Sequence, residues 1–268
     1  MPFSNNQRGS LEYLTSDVIG ASHCFSTRLG GVSEGPLASL NLGIHRGDRP
    51  ANVLENYRIL GRALDFQICD TVFTHQTHTN IVRKVDGTNA GEGLFYPVPC
   101  ECDGLITDTE GLVLTVFTAD CTPILLEDPV TGAVGACHAG WRGTVTDIAG
   151  NAVRAMVREY GCSPKNIRAA IGPNIGFCCF ETDRDVPDAV RALLGDDADP
   201  FIRTVGEKFR VDIKGVNEYL LRRAGVETVD VSSACTACEP DRFWSHRVTG
   251  GNRGSLAALI RCGGGAGK

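Results

Sequence analysis

The apolar positions of this chain show helical spacing in some stretches and unbroken short runs in others. The stretch 53–64 carries apolar side chains three or four positions apart, which predicts an amphipathic helix. A stronger stripe over 148–160 has Asp147 near its start and Gly161 placed to end it. Two further helices are predicted over 186–194 and 213–220.

Short apolar runs between these helices are typical of strands that are buried on both faces. They do not alternate regularly with helices. Three consecutive runs read as an antiparallel meander: 112–118, 124–127 and 133–138. We therefore expect an α+β fold with mixed sheets packed under outer helices, rather than a doubly wound parallel sheet. The full set of runs is 71–74, 81–85, 112–118, 124–127, 133–138, 167–171, 208–211, 228–231 and 256–260.

No repeat, linker or charge block divides the 268 residues, so we predict one domain over 1–268 with a flexible glycine-rich tail at 263–268. The composition, 42% hydrophobic and 22% charged, is that of a globular protein, without an apolar run of membrane-spanning length. The first residues do not resemble a signal peptide, which predicts a cytoplasmic location. A net charge of −6 without a basic run disfavours nucleic acid as a partner. Nothing indicates an obligate protein partner.

The twelve cysteines are scattered, and in a cytoplasmic chain most are expected to be reduced and buried. The pairs Cys100–Cys102 and Cys235–Cys238 are the closest to a zinc-ribbon pattern. The first pair has the wrong spacing for a zinc knuckle, and more than a hundred residues separate it from the second. We predict two unrelated loops rather than one structural zinc site.

Two of the predicted strands end in residues that carry chemistry. The run 112–118 leads to Asp120 and Cys121, and the run 133–138 ends in His138. A cysteine beside a histidine can be a nucleophile with its base, and the same side chains can bind a metal ion. The residues alone leave both possibilities open. They make Asp120, Cys121 and His138 candidate catalytic residues.

His75 and His78 lie in a polar segment that precedes these strands. In extended backbone they would point to opposite faces, so at most one would reach Cys121 and His138. For His75 we predict a structural role. If His78 meets the other two, two imidazoles and one thiolate leave a tetrahedral Zn²⁺ with one open position, as in catalytic zinc sites.

Glycine-rich loops supply candidate binding residues for an anion or a sugar. Arg142 lies in a glycine-bracketed turn before the 148–160 helix, where free N–H groups and the helix dipole favour a phosphate or a carboxylate. Arg28 is a candidate anion contact and Asn41 a candidate hydrogen-bond partner of a sugar or base edge. Arg247, in an aromatic loop, is a further candidate anion contact.

Eight short motifs, taken in order, resemble the YfiH-like family, also labelled the multicopper polyphenol oxidoreductase (laccase) family. They extend from about residue 20 to residue 260, nearly the whole chain. The motifs are Ser26-Thr-Arg-Leu-Gly-Gly-Val-Ser33, Leu40-Asn-Leu-Gly43, Gln76-Thr-His78, Cys102-Asp-Gly-Leu-Ile-Thr107, Ala119-Asp-Cys-Thr-Pro123, Cys137-His-Ala-Gly-Trp-Arg-Gly143, Ile171-Gly-Pro173 and Ser245-His-Arg247.

This resemblance implies a four-layer sandwich of two mixed sheets between helices, with zinc bound by His78, Cys121 and His138. It also implies purine nucleoside phosphorolysis, in which adenosine, guanosine, inosine or methylthioadenosine reacts with phosphate to give the free base and a sugar 1-phosphate. The resemblance also implies adenosine deamination as an added activity. Some members resemble cytoplasmic factors that edit peptidoglycan precursors, the role that an amide hydrolase with Cys121 as nucleophile would fit.

The chain departs from the family pattern at Thr79, where glycine is common, at Asn174, where cysteine is common, and over 248–254. None of these positions is one of the three expected zinc ligands, but they leave the preferred nucleoside open. Six histidines and two methionines are too few for a trinuclear copper cluster with a blue-copper centre, so multicopper oxidation is disfavoured. A single copper could still replace zinc at the cysteine–histidine site in vitro.

Overall fold

Two six-stranded sheets lie face to face, each with helices on its outer side, in a computed structural model that describes residues 3–263. The first sheet has the strand order β1-β2-β3-β15-β7-β4, and only β4 and β7 are parallel neighbours. Its strands are β1 (Ser4–Arg8), β2 (Leu11–Thr15), β3 (His23–Ser26), β4 (Thr71–Phe73), β7 (Val113–Thr118) and β15 (Leu256–Arg261).

The second sheet has the order β14-β10-β8-β9-β6-β5, with parallel pairs at its two edges and antiparallel pairs between them. Its strands are β5 (Val82–Lys84), β6 (Gly104–Thr107), β8 (Thr122–Glu127), β9 (Val134–Ala139), β10 (Arg168–Ile171) and β14 (Thr228–Val231). A small third sheet is formed by β11 (Glu181–Thr182), β12 (Ile202–Val205) and β13 (Lys208–Val211).

The helices complete four layers. They are α1 (Pro50–Leu64), α2 (Trp141–Val145), α3 (Ile148–Tyr160), α4 (Asp185–Leu194), α5 (Ile213–Arg223) and α6 (His246–Thr249). Tyr57 of α1 packs on the outer face of the first sheet, and Met156 of α3 packs on the second. Leu114 and Leu125, from opposite sheets, belong to the core between them. The expected sandwich of mixed sheets between helices is confirmed.

The ends of α3 follow from its flanking residues. The carboxylate of Asp147 accepts the N–H of Gly150 at 3.1 Å, which satisfies one free donor of the first turn. Gly161 ends the helix with φ +66°, a conformation that glycine adopts without strain. The bounds predicted for this helix are confirmed.

The predicted three-strand meander is wrong in one respect. Strands β8 and β9 are antiparallel neighbours, but β7 belongs to the other sheet. The chain crosses between the sheets at Asp120, whose φ is +90°, and Cys121 follows directly. Because all three runs are apolar on both faces, their pattern alone could not assign them to one sheet or two.

The twelve cysteines are all free, and half of them are buried rather than most. Cys100 and Cys102 lie apart from the Cys235–Cys238 loop, as predicted. Of the expected tail, 264–268 lies outside the described residues. Within residues 3–263, no helix has the length and apolar character needed to cross a membrane.

Candidate active site

Cys121, His78 and His138 meet where the two sheets are joined. Their potential ligand atoms all lie within 4.8 Å of one another, and Cys121 Sγ is 3.9 Å from His78 Nε2. The two imidazole rings stand edge to face, at an interplanar angle of 83°. The three residues expected to bind zinc are therefore brought together from separate segments of the chain.

The local backbone explains how these side chains converge. His138 lies near the end of β9, opposite Pro123 near the start of β8, so the end of β9 meets the start of β8 at the site. His78 follows β4 in an irregular segment and has φ +65°, which turns it toward the other two. The segment 75–78 is therefore not extended throughout. Gly140 keeps the approach open, because a Cβ there would lie 2.6 Å from His78 Cδ2.

A buried carboxylate, Asp103, supports both histidines. Its Oδ1 accepts His138 Nδ1 at 2.7 Å and the backbone N–H of His78 at 3.1 Å. Its Oδ2 accepts the N–H and the hydroxyl of Thr79, each at 2.8 Å. Because Asp103 binds Nδ1, Nε2 is the ring nitrogen of His138 that remains available to a ligand in the site.

Asp103 is not among the residues that the sequence pattern indicates as functional. Its only signal there is an aspartate between Cys102 and Gly104 in a motif of the resemblance. The side chain is fully buried in the structure, a position where an aspartate needs hydrogen-bond partners. Only the folded chain shows that those partners belong to His78 and His138.

The Cys121 thiol and the His138 imidazole each shift the pKa of the other. Burial raises the pKa of Cys121, but the charge of His138 and hydrogen bonds from both histidines outweigh it and lower that pKa to about 6. Burial lowers the pKa of His138, while Cys121 and Asp103 raise it to about 9. The two shifts favour the same charge state, a thiolate on Cys121 paired with an imidazolium on His138.

A cavity of about 800 Å³ opens in front of these three residues. This volume is in the range of small-molecule binding sites. One wall is apolar and aromatic, with Phe73 and Phe117 in edge-to-face contact at 5.0 Å and Phe95 and Tyr96 nearer the surface. His75, for which a structural role is predicted, is exposed and lines the same cavity.

Two arginines that the sequence pattern did not indicate, Arg46 and Arg253, also line the cavity. Within residues 3–263 neither has a carboxylate within salt-bridge distance. Arg46 Nε donates to Ser255 Oγ, and Arg253 Nε is buried without a protein partner. Burial, and next the charge of Arg46, lower the pKa of Arg253 to about 10.

The four predicted substrate residues are not among those that line this cavity. Arg28 stacks on Trp244 and donates to the carbonyls of Ala38 and Pro240. Asn41 is buried and bonds to the backbone of Gly43.

Arg142 and Arg247, the other two predicted substrate residues, lie in different environments. Arg142 is exposed and stacks on Trp141. Arg247 donates to the carbonyls of Cys179 and Glu181. Their predicted roles in substrate binding remain predictions.

Asp120 directs its carboxylate into the loops behind the site. Oδ1 accepts the hydroxyl of Thr236 at 2.6 Å, and Oδ2 accepts the backbone N–H of Arg247 at 2.7 Å. Its carbonyl accepts the N–H of Ile175. These bonds hold the positive-φ turn that presents Cys121, and the catalytic role expected for Asp120 remains a prediction.

The donor set of the site fits a zinc ion. For a tetrahedral ion about 2.3 Å from sulfur and about 2.0 Å from nitrogen, the two donors would be about 3.5 Å apart. The observed separation between Cys121 Sγ and His78 Nε2, 3.9 Å, is close to this value. Asp103 supplies the carboxylate that commonly orients a zinc-bound histidine. Three protein donors would leave one coordination position for another ligand.

Comparison with known proteins shows where the chain belongs. A family profile described as "Multi-copper polyphenol oxidoreductase laccase" matches residues 22–263. The chain belongs to this YfiH-like family. It is 38% identical to "Purine nucleoside phosphorylase YlmD" of Geobacillus stearothermophilus over 263 residues, 96% of each chain. It is 35% identical to "Purine nucleoside phosphorylase YfiH" of Escherichia coli, over 90% of this chain and 95% of the other.

Solved structures of the YfiH-like family share the fold. The crystal structure of the Bacillus licheniformis hypothetical protein YfiH superposes with a TM-score of 0.92 at 36% identity, covering 98% of this chain and 99% of that one. The structure of YlmD from Geobacillus stearothermophilus gives a TM-score of 0.90, also at 36% identity, with 97% and 99% covered. The four-layer sandwich is thus shared over the residues that the structure describes, 3–263.

Proposed function

We propose that this protein is a zinc-dependent purine nucleoside phosphorylase that accepts adenosine, guanosine, inosine and methylthioadenosine. The observation that carries the proposal is a single cavity that holds the Cys121–His78–His138 cluster, two arginines without carboxylate partners and an aromatic wall. The names of its relatives from Geobacillus stearothermophilus and Escherichia coli support the same reaction. The free state of all twelve cysteines supports a cytoplasmic location.

Phosphate is assigned to Arg46 and Arg253. Two guanidinium groups that repel each other gain from an anion placed between them. This assignment takes the place of the four residues expected from the sequence, whose polar groups are bonded elsewhere or lie outside the cavity.

The purine is assigned to the apolar wall. Phe73 and Phe117 are fixed by their mutual contact, while Phe95 and Tyr96 are 46% and 64% exposed and free to cover a base. Aromatic faces bind bases by stacking, which contributes about 1–3 kcal/mol per base and tolerates differences between purines. This tolerance matches an enzyme that accepts several nucleosides.

His78, Cys121 and His138 would hold the zinc ion, which in a set of three protein ligands supplies Lewis-acid polarisation and activation of water. The chain itself positions these ligands. Asp103 fixes the tautomer and the ring orientation of His138 and holds the backbone at His78.

In phosphorolysis, a phosphate oxygen forms a bond to the anomeric carbon while the bond from that carbon to the purine nitrogen breaks. The sugar carries positive charge in between, and the phosphate held by Arg46 and Arg253 stabilises it electrostatically. The apolar wall keeps bulk water from the anomeric carbon, so phosphate rather than water reacts. The purine nitrogen takes up the proton that the phosphate loses, and the products are the free base and the sugar 1-phosphate.

The test is a product analysis. Zinc-loaded protein is incubated with each of the four nucleosides, with and without phosphate, and the products are followed by mass spectrometry. We expect base release that depends on phosphate and is matched by sugar 1-phosphate. Base release without phosphate, or no release from any nucleoside, would contradict the proposal.

We propose adenosine deamination as a second activity of the same cavity. The observation that favours it is the three-donor set, which is typical of zinc sites that activate water. Ammonia and inosine should appear from adenosine in the absence of phosphate. We expect His78→Ala to lose phosphorolysis and deamination together, which would show that one site serves both activities.

The thiolate–imidazolium pair supports a rival function, amide hydrolysis with Cys121 as the nucleophile, as an editor of peptidoglycan precursors would need. This mechanism needs neither zinc nor His78. Amide hydrolysis by metal-free protein that survives in His78→Ala but not in Cys121→Ser would favour the hydrolase. Loss of all activity on metal removal would favour the phosphorylase.

A further inference from the structure

A second cluster of potential metal ligands lies outside the cavity. Cys178 and Cys179 are in the turn that follows β10, and Cys235 and Cys238 are in the loop that follows β14. Because β10 and β14 are parallel neighbours, the loops that follow them leave the sheet at the same end of the strands. All four sulfur atoms lie within 4.8 Å of one another.

The spacing of the sulfurs matches one tetrahedral ion. Thiolates about 2.3 Å from a central zinc would be about 3.8 Å apart. The Sγ of Cys238 is 3.5 Å from that of Cys178 and 3.3 Å from that of Cys179. A disulfide requires about 2.05 Å between sulfurs, so none of these pairs is bonded. An iron–sulfur cluster would spread its cysteines over several metal atoms, whereas the four sulfurs here all lie within 4.8 Å of one another.

The backbone around the cluster is arranged for thiolates. The N–H of Gly176 donates to Cys235 Sγ at 3.1 Å, a bond that stabilises a negatively charged sulfur. Gly176 also leaves the space that the sulfurs need, because a Cβ there would be 3.2 Å from Cys178 Sγ and 3.4 Å from Cys235 Sγ.

Nearby cations offset the negative charge that four thiolates would leave around a divalent ion. Lys214 Nζ donates to the carbonyls of Ser232 and Ala234, which places the ammonium beside Cys235. Arg247 donates to the carbonyl of Cys179 at 3.1 Å. The cluster thus has hydrogen-bond and charge partners of the kind that surround bound metals.

We propose that Cys178, Cys179, Cys235 and Cys238 form a tetrathiolate site for one structural Zn²⁺ ion, separate from the zinc of the cavity. Four protein ligands leave no open position, which is typical of structural zinc. The ion would tie the loop after β10 to the loop after β14. Both loops lie behind the cavity, since Thr236 bonds to Asp120, the residue that presents Cys121.

The test is the zinc content of the whole protein and of matched variants after dialysis against a weak chelator. The double variant C178S/C238S removes two of the four thiolates. The control C69S/C100S removes two exposed cysteines that belong to neither cluster. We expect two zinc equivalents in the wild type and in the control, and one in C178S/C238S. His78→Ala should also hold one equivalent, and the combination of both changes should hold none.

These values keep the two zinc proposals distinguishable. If only the cavity site failed, the wild type and His78→Ala would each hold one equivalent and C178S/C238S none. If C178S/C238S held as much zinc as the control, or if intact-mass analysis showed a disulfide among the four cysteines, the tetrathiolate site would be overturned.

A spectroscopic measurement does not depend on the folding of the double variant. Co²⁺ is loaded into the His78→Ala protein, where only the cysteine cluster is expected to bind it. The visible bands of tetrahedral Co²⁺ should appear with intense thiolate-to-cobalt charge transfer, and Zn²⁺ should displace them at one equivalent. The spectrum of octahedral Co²⁺, or no binding, would overturn the proposal.

Discussion

The carboxylate of Asp103 bonds to His138 Nδ1 at 2.7 Å and is itself fully buried. The same carboxylate accepts the backbone N–H of His78, so one residue orients two of the three proposed zinc ligands. The site therefore depends on a residue that touches neither the metal nor the substrate in the proposed mechanism. This arrangement leads to the first prediction.

Replacing Asp103 with asparagine keeps the shape of the side chain and removes its charge. An amide cannot accept at both oxygen positions, so one of the N–H groups around it loses its partner. We expect zinc affinity at the cavity or phosphorolysis rate to fall about 10- to 100-fold. Metal titration and steady-state kinetics would check this. Unchanged zinc affinity together with unchanged turnover would show that Asp103 does not support the site.

Removing the charge of Arg253 or Arg46 should weaken phosphate binding. A hydrogen bond to a charged group contributes about 1.5–3 kcal/mol, so Arg253→Gln should raise the KM for phosphate roughly 10- to 100-fold. The KM for the nucleoside should change much less. Initial rates at varied phosphate and fixed nucleoside would measure both.

Arg142→Gln is the matched control for that experiment. Arg142 is exposed, stacks on Trp141 and is not among the residues that line the cavity. Its substitution should leave the phosphate KM unchanged. A large increase for Arg142→Gln with none for Arg253→Gln would instead support the sequence-based prediction.

A methyl group at Gly140 should disturb the cavity cluster by steric contact alone. The added Cβ would lie 2.6 Å from His78 Cδ2 and 3.4 Å from Cys121 Sγ. The backbone φ of Gly140 is −66°, which alanine adopts without strain. We expect Gly140→Ala to displace His78 and lower turnover by about 100-fold, since small misplacements at a catalytic site have effects of this order.

Gly87→Ala serves as the control for this substitution. A Cβ added at Gly87 would have Thr109 Cγ2 as its nearest neighbour, at 3.9 Å, which is an ordinary van der Waals contact. Turnover and zinc content should remain those of the wild type. Equal losses in the two variants would mean that the effect at Gly140 is not specific to the site.

The stability of the fold should fall in mild acid because of His23. This side chain is buried, accepts the N–H of Ser16 at Nε2 and is paired through Nδ1 with the carbonyl of Ala21, so it is held neutral. Burial lowers its pKa below the ordinary value of 6.5. The unfolded chain then binds the extra proton first, and the free energy of unfolding decreases as the pH falls through 6.5 toward the lower folded pKa.

Urea unfolding of wild type and His23→Asn at pH 7.5 and at pH 5 would check this prediction. The substitution should destabilise the protein at both values. The decrease in the free energy of unfolding between pH 7.5 and pH 5 should be smaller in the variant than in the wild type, because the variant lacks the titrating imidazole. An equal loss in both proteins would assign the acid sensitivity to other groups.

Most of the regular structure was predictable because it depends on local periodicity. All nine predicted apolar runs are strands, and the four predicted helices are present. Six strands were not predicted: β1, β2, β3, β6, β11 and β12, of which β2, β3, β6 and β12 are each only four or five residues long. β1 (Ser4–Arg8) is a polar edge strand, and β11 (Glu181–Thr182) has two residues. Neither offers an apolar run that a pattern could detect.

The candidate site was predictable in part. Cys121 and His138 stand at the ends of apolar runs, which is a local signal, and His78 belongs to a motif of the resemblance. Arg46 and Arg253 carry no such signal, and Asp103 is marked only by its place in the motif Cys102-Asp-Gly-Leu-Ile-Thr107. Each looks like an ordinary polar residue in a loop, and its role follows from contacts with residues far away in the sequence.

The sequence by itself determined the types of the main elements and the chemical nature of the cavity cluster, because spacing and side-chain chemistry are local properties of the chain. The tertiary structure decided which residues meet. It placed β7 and β8 in different sheets, brought Arg253 to the same cavity as Arg46, and gathered four cysteines from two loops. These meetings depend on strand order and on the pairing of distant segments, which no local pattern specifies.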